Sequence, residues 1–333
     1  MRISLFLFLL LVPLCLLVGS VSLPPGEVWQ AVTGNADAAS TAHFVVLESR
    51  FPQLVTAIFS GTALALSGLV MQTLFGNPLA DPSLLGVNSG ASLGAAVALL
   101  ALGGSLGVGM VSVGGTLLTV GAAFIGACAV IALLSVASSV LRGTLALLVT
   151  GVMLSFAVSA VIALLSFYAT ADGVRSFMIW GVGDFSGPTR TLLPLYVALT
   201  GLPALLLFFM YRPLNALLLG TDYATNLGVN VRRTRTQLLL LTGLLTATVT
   251  AVCGPISFIG LAVPHMARLL LHTADHRRLL PATAVLGADV AMLALVLSHL
   301  PGERGTVPLA AITPLLGVPV VLYILLKRPQ ESM

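Results

Sequence analysis

The chain has 333 residues, of which 58% are hydrophobic and only 8% are charged, and its mean hydropathy is +1.08. A soluble domain of this size carries about 25% charged residues to cover its surface, so this composition excludes a soluble globular protein. The net charge of +4 is interpreted as a membrane-topology signal and not as a sign of a nucleic-acid partner.

Apolar stretches recur along the chain, and a helix needs about 20 mostly apolar residues to cross a bilayer. In chain order they cover residues 3–22, 51–72, 84–102, 112–138, 144–168, 192–210, 237–253, 256–272, 282–299 and 308–326. We therefore predict an all-α polytopic membrane protein with about ten transmembrane helices in one transmembrane domain, 1–333. Residues 3–18 are expected to form the first helix and not a cleaved signal peptide.

Arginine and lysine indicate the orientation, because cytoplasmic loops are enriched in both. With the N-terminus inside, eleven of these residues fall in inner segments and four in outer ones. Both termini are therefore expected in the cytoplasm. The longest outer loops are then 23–50 and 169–191, and the longest inner loop is 211–236.

The energy source of a transporter can be examined from the same sequence. Ion-coupled carriers usually need acidic residues or interrupted helices at mid-membrane, but the main acid within the predicted spans is Asp289, near the inner end of the ninth helix. Asp289 is expected to lie at the interface or to make a structural hydrogen bond, with a functional carboxylate as the alternative. A secondary carrier is therefore disfavoured. The chain has no P-loop, and its one lysine is Lys327 near the tail, so ATP hydrolysis would require another polypeptide.

An intramembrane enzyme is the alternative from another class. H-E-x-x-H does not occur, and G-x-S-x-G occurs only at 90–94, inside a predicted helix, and at 103–107, between predicted helices. Neither place offers the strand–turn–helix context of a nucleophile elbow, so catalysis by this chain is disfavoured. His265, His272 and His276 are interpreted as part of a solvated basic loop and not as a metal site. The three cysteines lie far apart in apolar sequence, which favours small buried side chains over a disulfide framework.

Four further segments carry local information. Residues 72–86 contain two prolines and two glycines, which predicts a turn on the inner side, with Asp81 or Ser83 as the cap of the next helix. Residues 86–94 present small side chains suited to close helix packing. In 219–229, Thr221 or Asp222 would cap a short inner helix that Gly228 ends with a positive φ. In 254–268, Pro264 is expected to kink a short helix.

Read together and in order, these segments resemble the FecCD-type permease family of iron-siderophore, haem and cobalamin ABC importers. The matching strings are Q-x-x-x-x-N-P-L-A-x-P-x-x-L-G at 72–86, G-x-x-x-G-A at 86–91, Trp-Gly at 180–181, L-G-x-x-x-A-x-x-L-G-V at 219–229 and G-x-I-x-F-I-G-L-x-x-P-H-x-x-R at 254–268. The resemblance runs from about residue 45 to residue 327.

This resemblance implies a multi-pass permease of the cytoplasmic (inner) membrane that imports an iron(III)-siderophore-type ligand by ATP-driven alternating access, with haem or cobalamin as alternatives. The expected partners are a second permease subunit (identical or paralogous), two cytoplasmic ATP-binding subunits, an external substrate-binding protein and membrane lipid, without nucleic acid, cofactor or metal. The chain itself would be no enzyme.

The resemblance also assigns residues. Docking of the binding protein is expected at Arg50, Gln53, His299 and Arg304, although Gln53 and His299 stand where the family usually has arginine. An interface anchor is the alternative role for Arg50. The ATPase contact is expected at Leu219, Gly220, Ala224, Leu227 and Gly228, with Ala224 and Gly228 in a groove of the partner. Pathway or packing positions are Asn77, Pro78, Gly86, Ser89, Gly90, Ala91 and Gly94. The remaining motif residues are Trp180, Gly181, Gly260, Pro264, His265 and Arg268.

Overall fold

α-Helices dominate the computed structural model of the chain, which describes residues 2–35, 37, 40–82, 86–103, 105–108, 111–140, 144–302 and 305–327. The described helices are α1 (Arg2–Leu17), α2 (Pro25–Val32), α3 (Thr41–Phe44), α4 (Phe51–Phe75), α5 (Val87–Ala96), α6 (Thr116–Val140), α7 (Thr144–Tyr168), α8 (Ala171–Gly181), α9 (Leu193–Phe209), α10 (Tyr211–Leu217), α11 (Thr221–Asn226), α12 (Val231–Cys253), α13 (Ile259–Leu271), α14 (His276–His299) and α15 (Leu309–Lys327). Segments of π-helix at Val45–Arg50 and Val97–Ala101 join α3 to α4 and extend α5.

Ten apolar helical segments lie in the described part of the chain. Those long enough to cross a membrane are Thr41–Phe75, Thr116–Ala137, Ala146–Tyr168, Val231–Cys253 and His276–His299. A sixth span is possible if α9 and α10, which meet at a 60° bend, are taken together. The shorter apolar helices are Ser4–Leu17, Val87–Ala101, Ile259–Leu271 and Leu309–Tyr323. The predicted all-α membrane fold with about ten helices is thus confirmed.

The segments predicted as outer loops contain helices that the apolar pattern missed. Helix α2 and the N-terminal part of the span Thr41–Phe75 lie within 23–50, and α8 lies within 169–191. These helices are short or contain charged residues such as Glu48 and Asp172, so a search for long uncharged stretches does not detect them. At the inner side, α10 and α11 occupy the predicted loop 211–236, and α12 begins six residues earlier than 237.

A short β-hairpin joins α5 to α6, where the sequence predicted a loop and the start of a helix at 112. Strands β1 (Ser105–Val108) and β2 (Val111–Gly114) pair antiparallel, with Val108 opposite Val111. Helix α6 therefore begins only at Thr116.

Helix α4 is the central element, and glycines allow its neighbours to approach closely. It packs against α9, α12, α13 and α14. A Cβ atom added at Gly68 would overlap the carbonyl oxygen of Gly260 on α13, and one at Gly61 would overlap that of Gly287 on α14. Such contacts are typical of membrane helices, whose association depends on close packing because lipid is as apolar as the helix surface.

Candidate functional site

The inner turn after α4 contains two of the expected pathway residues, Asn77 and Pro78. Gly76 ends α4 in the left-handed conformation, with φ 58°. The side chain of Asn77 then accepts a hydrogen bond from the Leu79 amide, 2.9 Å away. Asn77 and Leu79 are exposed, and Pro78 is half-buried between them. The predicted turn is therefore present, and its tip is open to a neighbouring molecule.

Helix α13 supports this turn through its motif residues. The His265 Nε2–H donates to the carbonyl oxygen of Pro78 over 2.8 Å. Arg268 donates to the side-chain oxygen of Gln72 over 2.6 Å. These contacts connect α13, which contains Pro264, to the turn, so movement of either element must affect the other.

Gly260 leaves room for the carboxylate of Asp81, since an added Cβ atom would lie 2.6 Å from Asp81 Oδ2. Asp81 is not the N-cap residue of α5, although it was one of the two residues predicted to cap that helix. The N-cap residue of α5 is Gly86, with φ 82° and without a side-chain cap. Ser83, the other predicted cap, lies outside the described residues.

A second polar network on the inner side centres on His276, which is 1% exposed. Its Nδ1 and backbone N–H both lie within 2.9 Å of Asn215 Oδ1, and its Nε2 lies 2.8 Å from Thr73 Oγ1. Since an amide oxygen only accepts, Nδ1 carries a proton. The network joins α10, α14 and the inner end of α4.

The burial of His276 and His265 corrects the prediction of a solvated basic loop. Their partners are Asn215, Thr73 and Pro78, which lie 61 to 203 residues away along the chain, so local sequence gave no indication of them. Asp275, outside the spans, also contacts Asn215. The pKa of its carboxyl is lowered because the Asn215 amide and the Arg277 N–H donate to it.

The small residues of 86–94 form a tight contact inside the chain. Added Cβ atoms at Gly90 and Gly94 would overlap carbonyl oxygens or side chains of α6, and Ala91 is fully buried. Ser89 instead lies on a recess between α5, α7 and α8. The described contacts of Gly90 and Gly94 are thus with α6 of the same chain.

The inner segment 219–229 forms the expected short helix, α11, but with a different exposed face. Ala224 is 0% exposed and packs within the chain, whereas Tyr223 is 52% and Leu227 is 59% exposed. This burial contradicts the expectation that Ala224 enters a groove on a partner. Leu219 is exposed too, so the surface available to a partner consists of larger apolar side chains.

The ends of α11 depend on glycine. Gly220 is the N-cap residue with φ 100°, and the cap lacks a side-chain hydrogen bond, contrary to the prediction for Thr221 or Asp222. Gly228 follows the helix with φ 83°, as predicted. Both glycines lie at the exposed surface.

At the outer side, Arg50 holds the end of α1. It is 4% exposed and donates to the carbonyl oxygens of Leu16, Leu17 and Val21, at 2.7 and 3.0 Å for the first two. An added Cβ at Gly19 would lie 2.6 Å from the guanidinium, so this glycine makes room for it. Positive charge at the C-terminal end of a helix stabilises it. The geometry favours the anchor alternative for Arg50, and a docking role stays a prediction.

The other expected docking residues differ in their surroundings. Gln53 is half-buried and donates to Ser49, and His299 Nδ1–H donates to the Leu295 carbonyl. Arg304 lies outside the described residues. An exposed ion pair that the sequence did not predict joins Arg190 to Glu48 at 2.8 Å.

Replacing Arg50 with alanine should lower the stability of the permease. Three backbone carbonyls would lose a charged donor, and hydrogen bonds to charged groups contribute about 1.5–3 kcal/mol each. We expect a lower melting temperature of the detergent-purified protein and unchanged affinity of the folded fraction for its binding protein. As a control, Arg190→Ala removes only an exposed pair, worth about 0.2–1 kcal/mol. An unchanged melting temperature together with lost affinity would show that Arg50 docks the partner instead.

The Trp-Gly pair, Trp180 and Gly181, lies at the C-terminal end of α8 and near the outer end of α12. The Trp180 ring stacks on Phe177 with centroids 6.1 Å apart. Gly254 approaches the Trp180 carbonyl so closely that an added Cβ would overlap it. Gly181 has open space around its Cα. The pair therefore packs α8 onto the loop that leads to α13.

Asp289 makes a structural hydrogen bond, which was one of the roles that the sequence left open. The Ser4 hydroxyl of α1 donates to Asp289 Oδ2 on α14 over 2.6 Å, and both side chains are buried. Among the described residues, groups of three or more potential metal ligands do not occur.

The sequence matches the model of a known protein family over nearly the whole chain. The model of the FecCD transport family covers residues 7–327. The chain belongs to the FecCD transport family. Its turn at 72–86 and the supporting α13 correspond to the strings that carried the resemblance. Family membership makes it a permease subunit of an ABC-type importer in the cytoplasmic membrane, with a transport role and not an enzymatic one.

Individual FecCD relatives and structures agree with this assignment. The haemin transport permease HmuU of Yersinia pestis is 34% identical, over 98% of this chain and 96% of its own. The vitamin B12 permease BtuC of Klebsiella pneumoniae is 35% identical, over 97% and 91%. A metal-chelate type ABC transporter solved in an inward-facing conformation matches with a TM-score of 0.82 and 27% identity, over 98% of this chain and 99% of its own.

Sequence reasoning missed several polar residues that the fold brings together. Asn215 and Thr73 complete the His276 network, and Asn88, Ser92 and Ser159 lie on the recess with Ser89. The available signals in the sequence were Asn215, next to an apolar helix, and the three-residue spacing of Ser89 and Ser92 on α5. Neither signal identifies its partner without the fold.

Proposed function

We propose that two copies of this permease, or this chain and a paralogue, form the membrane core of an importer that moves a metal chelate of the haem or corrinoid class into the cytoplasm. The observation that carries the proposal is near-equal similarity, along almost the full chain, to a haemin permease and a vitamin B12 permease. A ferric siderophore, the first expectation from sequence, is retained as a third candidate cargo.

The polar groups of the spans favour an energy source outside this chain over an ion bound within its spans. Asp289, the main acid within the predicted spans, is bonded to Ser4 in a contact between α1 and α14. Coupling ions are usually bound by acids or by interrupted helices at mid-membrane, and an aspartate engaged in a helix contact does not provide such a site. Hydrolysis of ATP by two separate cytoplasmic subunits supplies the energy instead.

The inner face offers a surface for those ATPase subunits. Leu219, Tyr223 and Leu227 project from the segment around α11, and large exposed apolar side chains on a protein surface commonly mark partner contacts. α11 lies beside α10, which contacts α4 and α14. Movement of a subunit bound here would reach α4 through α10, and an external binding protein would deliver the cargo at the opposite face.

Reconstitution tests this proposal. The permease, its ATPase subunits and its binding protein are placed in proteoliposomes, and uptake of haemin, cyanocobalamin and a ferric siderophore is measured with and without ATP. We expect ATP-dependent, vanadate-sensitive uptake of haemin or cyanocobalamin. Uptake that follows a proton or sodium gradient in vesicles lacking the ATPase would instead identify a secondary carrier.

A further inference from the structure

A recess of about 320 Å³ opens on the side of the chain where α5, α7 and α8 meet. It is lined by Asn88, Ser89, Ser92, Ser159, Ile162 and Phe177. Ser159 lies in the middle third of α7, and the other serines lie on the apolar helix α5. The recess thus combines polar and apolar groups, although the helices that form it are apolar.

The hydroxyl groups of this recess lack the hydrogen bonds that other serines in the spans make. Ser155 and Ser166 on α7 each donate to the carbonyl four residues earlier, at 3.0 and 2.9 Å. Ser89, Ser92 and Ser159 make no such bond within the described residues. A hydroxyl facing lipid without a partner is unfavourable, so this surface suits contact with a partner that can form hydrogen bonds better than contact with hydrocarbon.

Asn88 adds an amide in a fixed orientation. Its Oδ1 accepts from the Thr250 hydroxyl over 2.8 Å, so its Nδ2 hydrogens are directed to other partners. The recess therefore presents amide and hydroxyl donors, hydroxyl acceptors and the ring of Phe177. Its lining residues carry no charged side chain.

We infer that this recess contacts the transported ligand and favours a metal chelate whose rim carries uncharged amide or hydroxyl groups. The inference rests on the proposed function and narrows its cargo. Neutral donors and acceptors complement an amide rim, whereas a carboxylate rim, as in haemin, would leave water without finding a cation here. The serine and asparagine donors can bond a carboxylate too, but its negative charge would stay uncompensated in this recess, and removing an uncompensated charge from water is costly.

Uptake by the full complex of permease, ATPase and binding protein tests the inference, with cyanocobalamin as the amide-rimmed probe and haemin as the carboxylate probe. We expect cyanocobalamin to be transported. The triple variant Ser89→Ala, Ser92→Ala and Ser159→Ala should lower that uptake about tenfold, because several hydrogen bonds are lost together. The membrane level should stay as in the parent. Ser166→Ala, whose hydroxyl is already bonded within α7, is the matched control.

A second measurement does not depend on uptake. The thiol of Ser159→Cys, placed in a Cys128→Ala background, should be labelled by a water-soluble maleimide and protected by cyanocobalamin but not by haemin.

The remaining outcomes are distinguishable. ATP-dependent uptake of haemin and not cyanocobalamin would leave the proposed function standing and overturn this inference. Full cyanocobalamin uptake by the triple variant, or loss of subunit pairing in it, would also overturn it, the latter by showing that a second copy fills the recess. Absence of ATP-dependent uptake of both probes and of the siderophore would overturn the proposed function and this inference together.

Discussion

Replacing Gly68 with alanine should prevent α4 from packing against α13 and sharply lower the amount of folded permease. An added Cβ atom would overlap the backbone carbonyl of Gly260, which cannot rotate away as a flexible side chain could. Overpacking of a well-packed core costs about 1–3 kcal/mol, and a backbone clash belongs at the upper end of that range. The measurement is the membrane level and the thermal stability of the detergent-purified protein.

Gly121→Ala provides the matched control, because an added Cβ at Gly121 meets no atom within 4 Å. It should keep the parent's stability or raise it slightly, since alanine is the better helix former. Equal melting temperatures for the Gly68 and Gly121 variants would show that α4 and α13 are farther apart than in this structure. The Gly260→Ala variant should repeat the Gly68 result less severely, since its nearest neighbours include the movable Asp81 carboxylate.

Much of the fold could be predicted because membrane spans are encoded locally. Ten apolar segments, the turn after α4 and the positive φ at Gly228 each follow from composition within a short window. The helices that were missed, α2 and α8, contain Glu27, Asp172 and Arg175 among apolar residues. These two helices are amphipathic, which is typical of helices at a surface. Their hydropathy is too low for a search that looks for complete membrane spans.

The candidate site was less predictable because its partners are distant in sequence or belong to the backbone. Arg50 was assigned to docking, with an interface anchor as the alternative, and the structure shows that its acceptors are three carbonyls at the end of α1. No side-chain pattern reveals free carbonyls at that point. His276 is similar, because Thr73 and Asn215 reach it only after α4, α10 and α14 have packed together.

The exposed face of α11 was also not predictable, although here the residues concerned are close in sequence. A six-residue helix is too short for a reliable hydrophobic periodicity, so the family motif was followed and its central alanine was assigned to the partner. The structure instead assigns Ala224 to the interior, where a small residue lets α11 lie close to the chain. The four-residue spacing of Tyr223 and Leu227 was the signal for the exposed face.

Replacing Tyr223 and Leu227 together with glutamate should abolish ATP-driven uptake while the permease stays folded in the membrane. Both side chains are more than half exposed, so the substitution creates no cavity in the chain. The two glutamates would be buried without partners at an apolar contact with the ATPase. Replacing well-packed residues at the centre of an interface commonly costs more than about 2 kcal/mol of binding free energy. We expect uptake to fall at least about thirtyfold, as this free energy implies, with loss of ATPase co-purification.

Ala224→Glu separates this explanation from a general disturbance of α11. Because Ala224 is fully buried, a glutamate there should reduce membrane level and thermal stability before it affects coupling. Thr225→Glu, exposed on the opposite side of α11 from Tyr223, should leave uptake near that of the parent. If the Tyr223 and Leu227 double variant retains ATP-driven uptake and co-purifies with the ATPase, the contact lies elsewhere on the inner face. Uptake lost equally in all three variants would point to distortion of α11 instead of a lost contact.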